Sequence, residues 1–365
     1  MKVAVIIDTW FPYLGGGQIN AWEVSKRLAK SGVSIDIITR NNGNDNLKTS
    51  KNIKVIKLGS RSQPFDTVSK FLFLIKSFFY LYSHQYDLIH AHAFLPGIVA
   101  RAVVVTKGIP AVFTVHGTSL GTELLGPVQK LIEKFILTQI LYSAQITVAK
   151  DFLKIKNINE NIFYIPNGIK IDNFDRIKTQ KSRAVTLLFV GRLHPQKNLP
   201  NLIDAFSQVL QNHPNIRLKI AGDGPQKTTL VQKVKSLKLA KSIIFLGEVL
   251  GRDLIKLYKS SHLFILPSIY EGLPLTLLEA WAAKLPVIVT KTGDCQLLVK
   301  DGVNGYLVEN PADVSQISKV IKIALRGNLE KIGASGYNLI AKNFSWEKSA
   351  QETKEVYEIL SNRQN

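Results

Sequence analysis

Thirteen short runs of β-branched and other apolar residues recur along this chain, spaced by ~15 to 25 residues of mostly helical period. In the first half they are KVAVIID (2–8), SIDIIT (34–39), IKVIKL (53–58), DLIHAH (87–92), AVFTVH (111–116), AQITVA (144–149) and IFYIPN (162–167). In the second half they are VTLLFVG (185–191), IRLKIAG (216–222), SIIFLG (242–247), LFILPS (263–268), PVIVT (286–290) and GYLV (305–308). A sheet with one wet face alternates apolar and polar residues, whereas strands covered on both faces are apolar throughout. Parallel strands need long crossovers, and the helical stretches supply them. The pattern therefore predicts an α/β protein built from doubly wound parallel sheets.

At 365 residues the chain is about twice the size of an ordinary domain, so two units are expected. The boundaries are placed at 1–175 and 176–343. The polar stretch Asp172 to Arg183, which follows neither period, is the linker candidate. Apolar spacing beyond Phe344 predicts a last amphipathic helix. Ligands of open parallel sheets lie beyond the carboxyl ends of the strands, so the loops there are where chemistry is sought, and two such units predict a cleft site.

Cys295 is the only cysteine, which excludes an internal disulfide and a thiolate metal cluster and suits a reducing cytoplasm. MKVAVIID is too short for the apolar core and cleavage site of a signal peptide and reads as a buried strand. The longest greasy run, Phe71 to Tyr82, is broken by Lys76 and Ser77 and falls short of the ~20 residues a membrane span needs. A cytoplasmic protein, peripheral at a membrane if attached to one, is the expectation. Forty-seven Lys and Arg against 27 Asp and Glu give a formal charge of +20, a field that favours anionic partners: nucleic acid, anionic lipid or phosphorylated substrate.

Four loops carry candidate chemistry. GRLHPQKN (191–198) follows a buried-strand pattern and precedes a helical one, so Arg192, Lys197 and a helix start share one loop that can hold a diphosphate. Gly15-Gly-Gly17 lets backbone N–H groups approach a phosphate, although it is neither GxGxxG nor a P-loop. In SIYEGLPLTLLEA (268–280), Glu271 and Glu279 lie at most ~12 Å apart along a helix axis. They can accept hydrogen bonds from vicinal hydroxyls at opposite ends of a ligand; the bland alternative has Glu271 capping the helix and Glu279 pairing with a lysine. His90 and His92 project to one face of a strand, and His116 stands at a strand end. No third metal ligand of suitable spacing accompanies them, and Asp-x-Asp, which holds a divalent cation on a diphosphate, occurs nowhere.

GGGQ (15–18), TVHG (114–117), IPNGI (165–169), GRLHPQKN (191–198), IAGDGP (220–225), FLG (245–247), EGLPLTLLEA (271–280), PVIVT (286–290) and DGVNGYLV (301–308) together resemble glycosyltransferase family 4 in order and spacing along nearly the whole chain. The resemblance implies the GT-B fold: two facing Rossmann-like domains, the last helix (344–365) crossing back to the first. It implies a retaining, metal-independent transfer of a hexose-type sugar from a nucleotide-diphosphate sugar, UDP- or GDP-linked, with no cofactor. It assigns Glu279 to the donor ribose, Glu271 and His116 to the sugar at the reacting carbon, and Arg192, Lys197, Gly16, Gly17, Gly272 and Leu273 to the diphosphate. Gly222, Gly247 and Leu275 fall to the nucleobase. On this reading the two carboxylates read hydroxyls and are not an acid–base pair.

The chain departs from the family pattern after PVIVT, where many members read Gly-Gly-x-x-Glu and this one reads Gly293-Asp294-Cys295-Gln296-Leu297; Lys170 stands where IPNG is often followed by Asp. The acceptor the resemblance implies is a hydroxyl, lipid-linked or on a polysaccharide or glycolipid precursor of the cell envelope. The run Lys70 to Tyr82, with Arg61 nearby, either rests on an anionic membrane or is a buried core helix. Two rivals share the features in part: a nucleotide-sugar 2-epimerase of the same fold, and a non-enzymatic polyanion binder, which would leave Glu271 and Glu279 unexplained. Nucleic acid is not an expected partner.

Overall fold

The computed structural model describes residues 1–13, 15–43, 47, 49–63, 66–118, 120 and 126–362. Each of the thirteen apolar runs forms a strand, and every strand pairing is parallel. The chain divides into two compact units: unit 1 is Met1–Gly168 with Trp346–Asn365, and unit 2 is Ile169–Ser345.

Unit 1 runs β1 (Lys2–Ile7), α1 (Gly16–Lys30), β2 (Ser34–Arg40), β3 (Ile53–Leu58), α2 (Thr67–Ser83), β4 (Leu88–His92), α3 (Phe94–Lys107), β5 (Ala111–Val115), α4 (Pro127–Thr138), β6 (Ala144–Thr147) and β7 (Ile162–Tyr164). Its sheet order is β3-β2-β1-β4-β5-β6-β7, so the winding reverses between β1 and β4. That switch point opens the crevice in which doubly wound sheets bind ligands. The central strands β4 and β5 are buried along their whole length, which is why their sequences show no alternation.

The greasy run is α2, and its face shows that it is not a core helix. Asp66 caps it by accepting from the Val68 and Ser69 N–H groups, and only Phe73, Ser77 and Leu81, spaced by four, are buried. Val68, Phe71, Leu72, Ile75, Phe79 and Tyr82 are exposed. A continuous apolar sequence on a one-sided helix leaves half its grease in water, so the buried-core reading is corrected.

Unit 2 runs α5 (Ile171–Asp175), β8 (Thr186–Val190), α6 (Leu199–Leu210), β9 (Arg217–Ala221), α7 (Lys227–Ser236), β10 (Ile243–Gly247), α8 (Gly251–Ser260), β11 (Leu263–Leu266), α9 (Leu275–Ala282), β12 (Val287–Thr290), α10 (Cys295–Leu298), β13 (Tyr306–Val308), α11 (Val314–Arg326) and α12 (Leu329–Asn343). Sheet order is β10-β9-β8-β11-β12-β13, with its switch point between β8 and β11.

The linker expectation is overturned. Residues 172–175 lie in α5, whose Phe174 is buried in the unit 2 core against Tyr258. Farther on, Ser182 N–H donates to Ser260 O and Lys181 Nζ to Ser261 O. Charge and weak periodicity made the segment look like a tether, but one aromatic, one backbone bond and one lysine bond fasten it to unit 2. The division accordingly falls after Gly168, seven residues before the expected 175.

The chain then returns as α13 (Trp346–Asn362), which packs along α1 within unit 1. Trp346, Val356, Tyr357 and Leu360 are buried there, each contributing about 2 kcal/mol of apolar transfer. Arg27 meets the Glu347 carboxylate at 2.6 Å, and Ser349 Oγ donates to Pro166 O at 2.7 Å.

Candidate functional site

In unit 2 the predicted residues converge at the switch point because β8 and β11 are neighbours. The loop after β8 carries Arg192 and Lys197, the loop after β11 carries Glu271, and the two are stitched together: Ile269 N–H donates to Gln196 O and Gln196 Nε2 to Tyr270 O. Lys197 Nζ then meets Glu271 Oε1 at 2.5 Å, and Ser268 Oγ donates to the same oxygen at 2.6 Å. Glu271 is only 8% exposed, so its charge is held by a cation and a hydroxyl rather than by water. Glu271 Oε2 takes no hydrogen bond from the described residues. Arg192 is exposed, and His194 is kept neutral, its pKa lowered by burial and by the charges of Arg192 and Lys197.

Glu279 sits eight residues on, within α9. It is half-buried, and its Oε2 accepts from the Tyr258 hydroxyl at 2.8 Å. Burial pushes its carboxyl up to about 7, with the Tyr258 hydrogen bond pulling the other way. Tyr258, on α8, is fully buried beside Phe174 and Phe264, so its hydroxyl has one place to point. The bland alternative for the two glutamates therefore fails. Pro274 occupies the N-cap of α9 with no side-chain cap, Glu271 holds a lysine, and Glu279 holds a tyrosine.

Two glycines show how tightly the loops are set. Gly222 has φ +135 and a Cβ there would overlap Gly191 O, while its N–H donates to Gly247 O at 2.7 Å; the ends of β8, β9 and β10 are thus drawn together. Gly293 has φ +48 and a Cβ there would overlap Glu271 O. Asp294, which replaces the family's second glycine, has φ −73, a conformation open to any residue, and donates its N–H to Gly272 O. The chain thus keeps the glycine that geometry demands and changes the one it does not. Gly272 and Leu273 are buried in the turn before α9, and Leu275 opens that helix half-buried. Lys170 stands at the N-cap of α5 and makes no side-chain cap, a task an Asp there would perform.

In unit 1 the predicted residues also gather at the sheet's carboxyl edge. Gly15 is the extended N-cap of α1 without a side-chain cap, and Gly16 and Gly17 form the first turn. A Cβ on Gly17 would press to 3.3 Å from the His116 ring, so the glycine turn and the histidine are in contact. His90, His92 and His116 stack in a row, with ring centroids 4.3 and 5.2 Å apart. His92 Nδ1 and His116 Nε2 share a hydrogen bond of 3.0 Å; His90 is held by Tyr357 and Thr114 hydroxyls at 2.5 and 2.6 Å. Burial holds all three neutral: His90 is lowered to about 3, His116 to about 4, and His92 is well below its usual value. Among the described residues no group of three His, Cys, Asp or Glu side chains is placed to hold a metal ion. The loop after His116 runs into residues 119 and 121–125, outside the described residues.

Sequence reasoning missed Tyr258, Ser268, the bond of His92 to His116, and the pairing of Lys197 with Glu271. Only Tyr258 had a local signal, as the aromatic among the apolar residues Leu254, Ile255 and Leu257 of the amphipathic helix α8.

Two family profiles cover the chain in tandem: Glycosyltransferase Family 4 matches residues 14–173, and Glycosyl transferases group 1 matches residues 170–338. An uncharacterized glycosyltransferase of Methanocaldococcus jannaschii is 30% identical over 98% of both chains. The chain is a group 1, family 4 glycosyltransferase. Among other relatives of this glycosyltransferase is the UDP-Gal:alpha-D-GlcNAc-diphosphoundecaprenol alpha-1,3-galactosyltransferase of Escherichia coli, 26% identical over 98% of this chain and 97% of that one. The sucrose-phosphate synthase of Thermosynechococcus elongatus superposes with a TM-score of 0.84 at 22% identity, covering 99% of each chain, which establishes the GT-B fold. These relatives give the epimerase alternative no support.

Proposed function

We propose that this glycosyltransferase moves a hexose from a UDP-sugar to a hydroxyl of a lipid-linked acceptor, with retention at the anomeric carbon and without a metal. The observation that carries the reading is the pair of carboxylates in unit 2, each fixed by its own partner: Glu271 by Lys197 and Ser268, Glu279 by Tyr258. Two immobilised acceptors eight residues apart suit a ligand with hydroxyls at both ends, a sugar and a ribose. Glu279, ionised, accepts from the ribose. Glu271 Oε2 accepts from the transferred sugar. Lys197 and Arg192, with the N–H groups of Gly272 and Leu273, face the diphosphate and take up the charge that develops as the anomeric C–O bond to phosphate breaks. The acceptor oxygen forms the new bond, and its proton passes to the departing phosphate. Unit 1 supplies acceptor recognition, with His116, Gly16 and Gly17 contributing to the donor. Gly222, Gly247 and Leu275 border the base.

UDP as the carrier is supported by the Escherichia coli relative, whose name specifies UDP-Gal and a diphosphoundecaprenol-linked acceptor. A lipid-linked acceptor is supported by this chain's own surface. On α2, Phe71, Phe79 and Tyr82 are exposed beside Lys70 and Lys76; on α4, Val128, Leu131, Ile132 and Phe135 are exposed beside Lys130 and Lys134. Helix α3 packs against both, so the two lie on one side of the sheet. Apolar residues set among lysines are the signature of a face that rests on anionic lipid. Among the described residues no helix is long and apolar enough to cross a membrane.

Calorimetry against UDP-, GDP- and ADP-sugars, with and without EDTA, tests the donor. Binding of a UDP-sugar that EDTA leaves unchanged is expected; silence toward all three, or binding only with added divalent cation, overturns the reading. The anomeric coupling in the product's proton spectrum tests retention.

A further inference from the structure

The histidine row in unit 1 has an asymmetry. His90 is satisfied at both nitrogens, by Tyr357 and Thr114. His116 is not: Nε2 is bound to His92, while Nδ1 is buried and finds no hydrogen-bond partner among the described residues. A buried imidazole nitrogen left without a partner costs free energy, and such atoms call for an explanation in function. His92 is itself buried and clamped between two rings, so it cannot turn away from His116.

A neutral imidazole has one donor and one acceptor nitrogen, and whichever role Nε2 takes leaves Nδ1 the other. The His92 bond thus fixes the ring plane of His116 and ties the role of its second nitrogen to that of Nε2. We propose that His92 is the positioning residue for His116: by holding Nε2 it presents His116 Nδ1, in one defined tautomer, to a hydroxyl of the transferred sugar. The inference rests on the placement of His116 at the sugar given above. His90, pinned by Tyr357 of α13 and by Thr114, forms the floor on which His92 stacks.

The amide of asparagine places its polar atoms near where histidine has Nδ1, whereas glutamine reaches toward Nε2 and phenylalanine offers neither. His92→Phe and His92→Gln should lower kcat/KM by about 10- to 100-fold, as losing the partner that orients a functional imidazole does elsewhere, and His92→Asn should recover most of it. Turnover is read as hydrolysis of UDP-glucose, UDP-galactose or UDP-N-acetylglucosamine, and melting curves check the fold. A purely structural role for His92 would not distinguish Asn from Gln. Imidazole ¹⁵N shifts of the ligand-free protein give a readout independent of substrate. His116 should show one fixed neutral tautomer in the wild type and in His92→Asn, and averaged shifts in His92→Phe. Averaged shifts in the wild type, or equal activity in the Asn, Gln and Phe variants, would overturn the proposal. Full activity of His116→Ala would instead overturn the placement of His116 at the sugar.

Discussion

The carboxyl edges of the two sheets are built alike and charged differently. At the edge of unit 2 the polar side chains are ionic and paired, Lys197 with Glu271, or held at a raised pKa, Glu279 beneath Tyr258. At the edge of unit 1 they are three stacked imidazoles that burial keeps neutral. The outer surfaces differ in the same sense: among the described residues unit 1 exposes apolar rows on the helices α2 and α4, whereas unit 2 exposes fewer large apolar residues, Ile244 and Leu246 of its edge strand β10 among them. Charge that is prepaired inside low-dielectric loops can be re-partitioned when a dianionic ligand arrives, while neutral rings offer hydrogen bonds without competing for it. The division suits the proposed reading, in which unit 2 takes the diphosphate and unit 1 meets hydroxyls and lipid.

Breaking the ionic half should hurt most. Lys197→Ala leaves Glu271 buried and unpaired, so it should cost about 3 kcal/mol of stability as well as donor binding. Removing both partners, in Lys197→Ala/Glu271→Ala, should restore most of the stability and none of the activity. The matching truncation in unit 1, His116→Ala, removes a neutral ring and should cost about 1 kcal/mol. Denaturant melts of the four proteins decide whether the contrast between the edges is real; equal losses in Lys197→Ala and His116→Ala would erase it.

Next in size is Glu279→Gln, expected to weaken donor binding by about 10- to 100-fold, the loss of hydrogen bonds to a charged group. Its pH dependence has a definite sign. The folded carboxyl titrates near 7, above the unfolded value of about 4.3, so wild-type stability falls as pH rises through that window. Ribose hydroxyls need the ionised form, so donor affinity rises over the same window and levels off above 7. The Gln variant should show neither slope in melts or calorimetry between pH 5 and about 8.

A smaller effect is expected at the apolar face. Phe71→Ser with Phe79→Ser should reduce sedimentation with vesicles of anionic phosphatidylglycerol by at least about tenfold and leave UDP-sugar affinity unchanged. Unaltered vesicle binding would assign that face elsewhere. The smallest change belongs to Glu347→Gln, which breaks a partly exposed ion pair to Arg27 and should cost no more than ~1 kcal/mol, because α13 is held by its buried aromatics. A large loss in the melting curve would make charge, not packing, the fastener of that helix.

The sequence alone determined the thirteen strands, because strands buried on both faces need apolar runs that are local and contiguous. It also determined which loops carry the unusual residues, since Glu271, Glu279, Lys197 and His116 stand beside strand ends that the runs mark. Pairing was beyond its reach. Lys197 meets Glu271 across 74 positions, Tyr258 meets Glu279 across 21, and His92 meets His116 across 24. The first and last follow from which strands become neighbours, β8 beside β11 in unit 2 and β4 beside β5 in unit 1, and the second from α8 packing on α9. The face of α2 was likewise undecided in one dimension, because a helix greasy all round is buried or exposed according to what packs against it. Local pattern sets the elements; the strand order of two sheets sets which charges are paired, which rings are neutral and which grease stays in water.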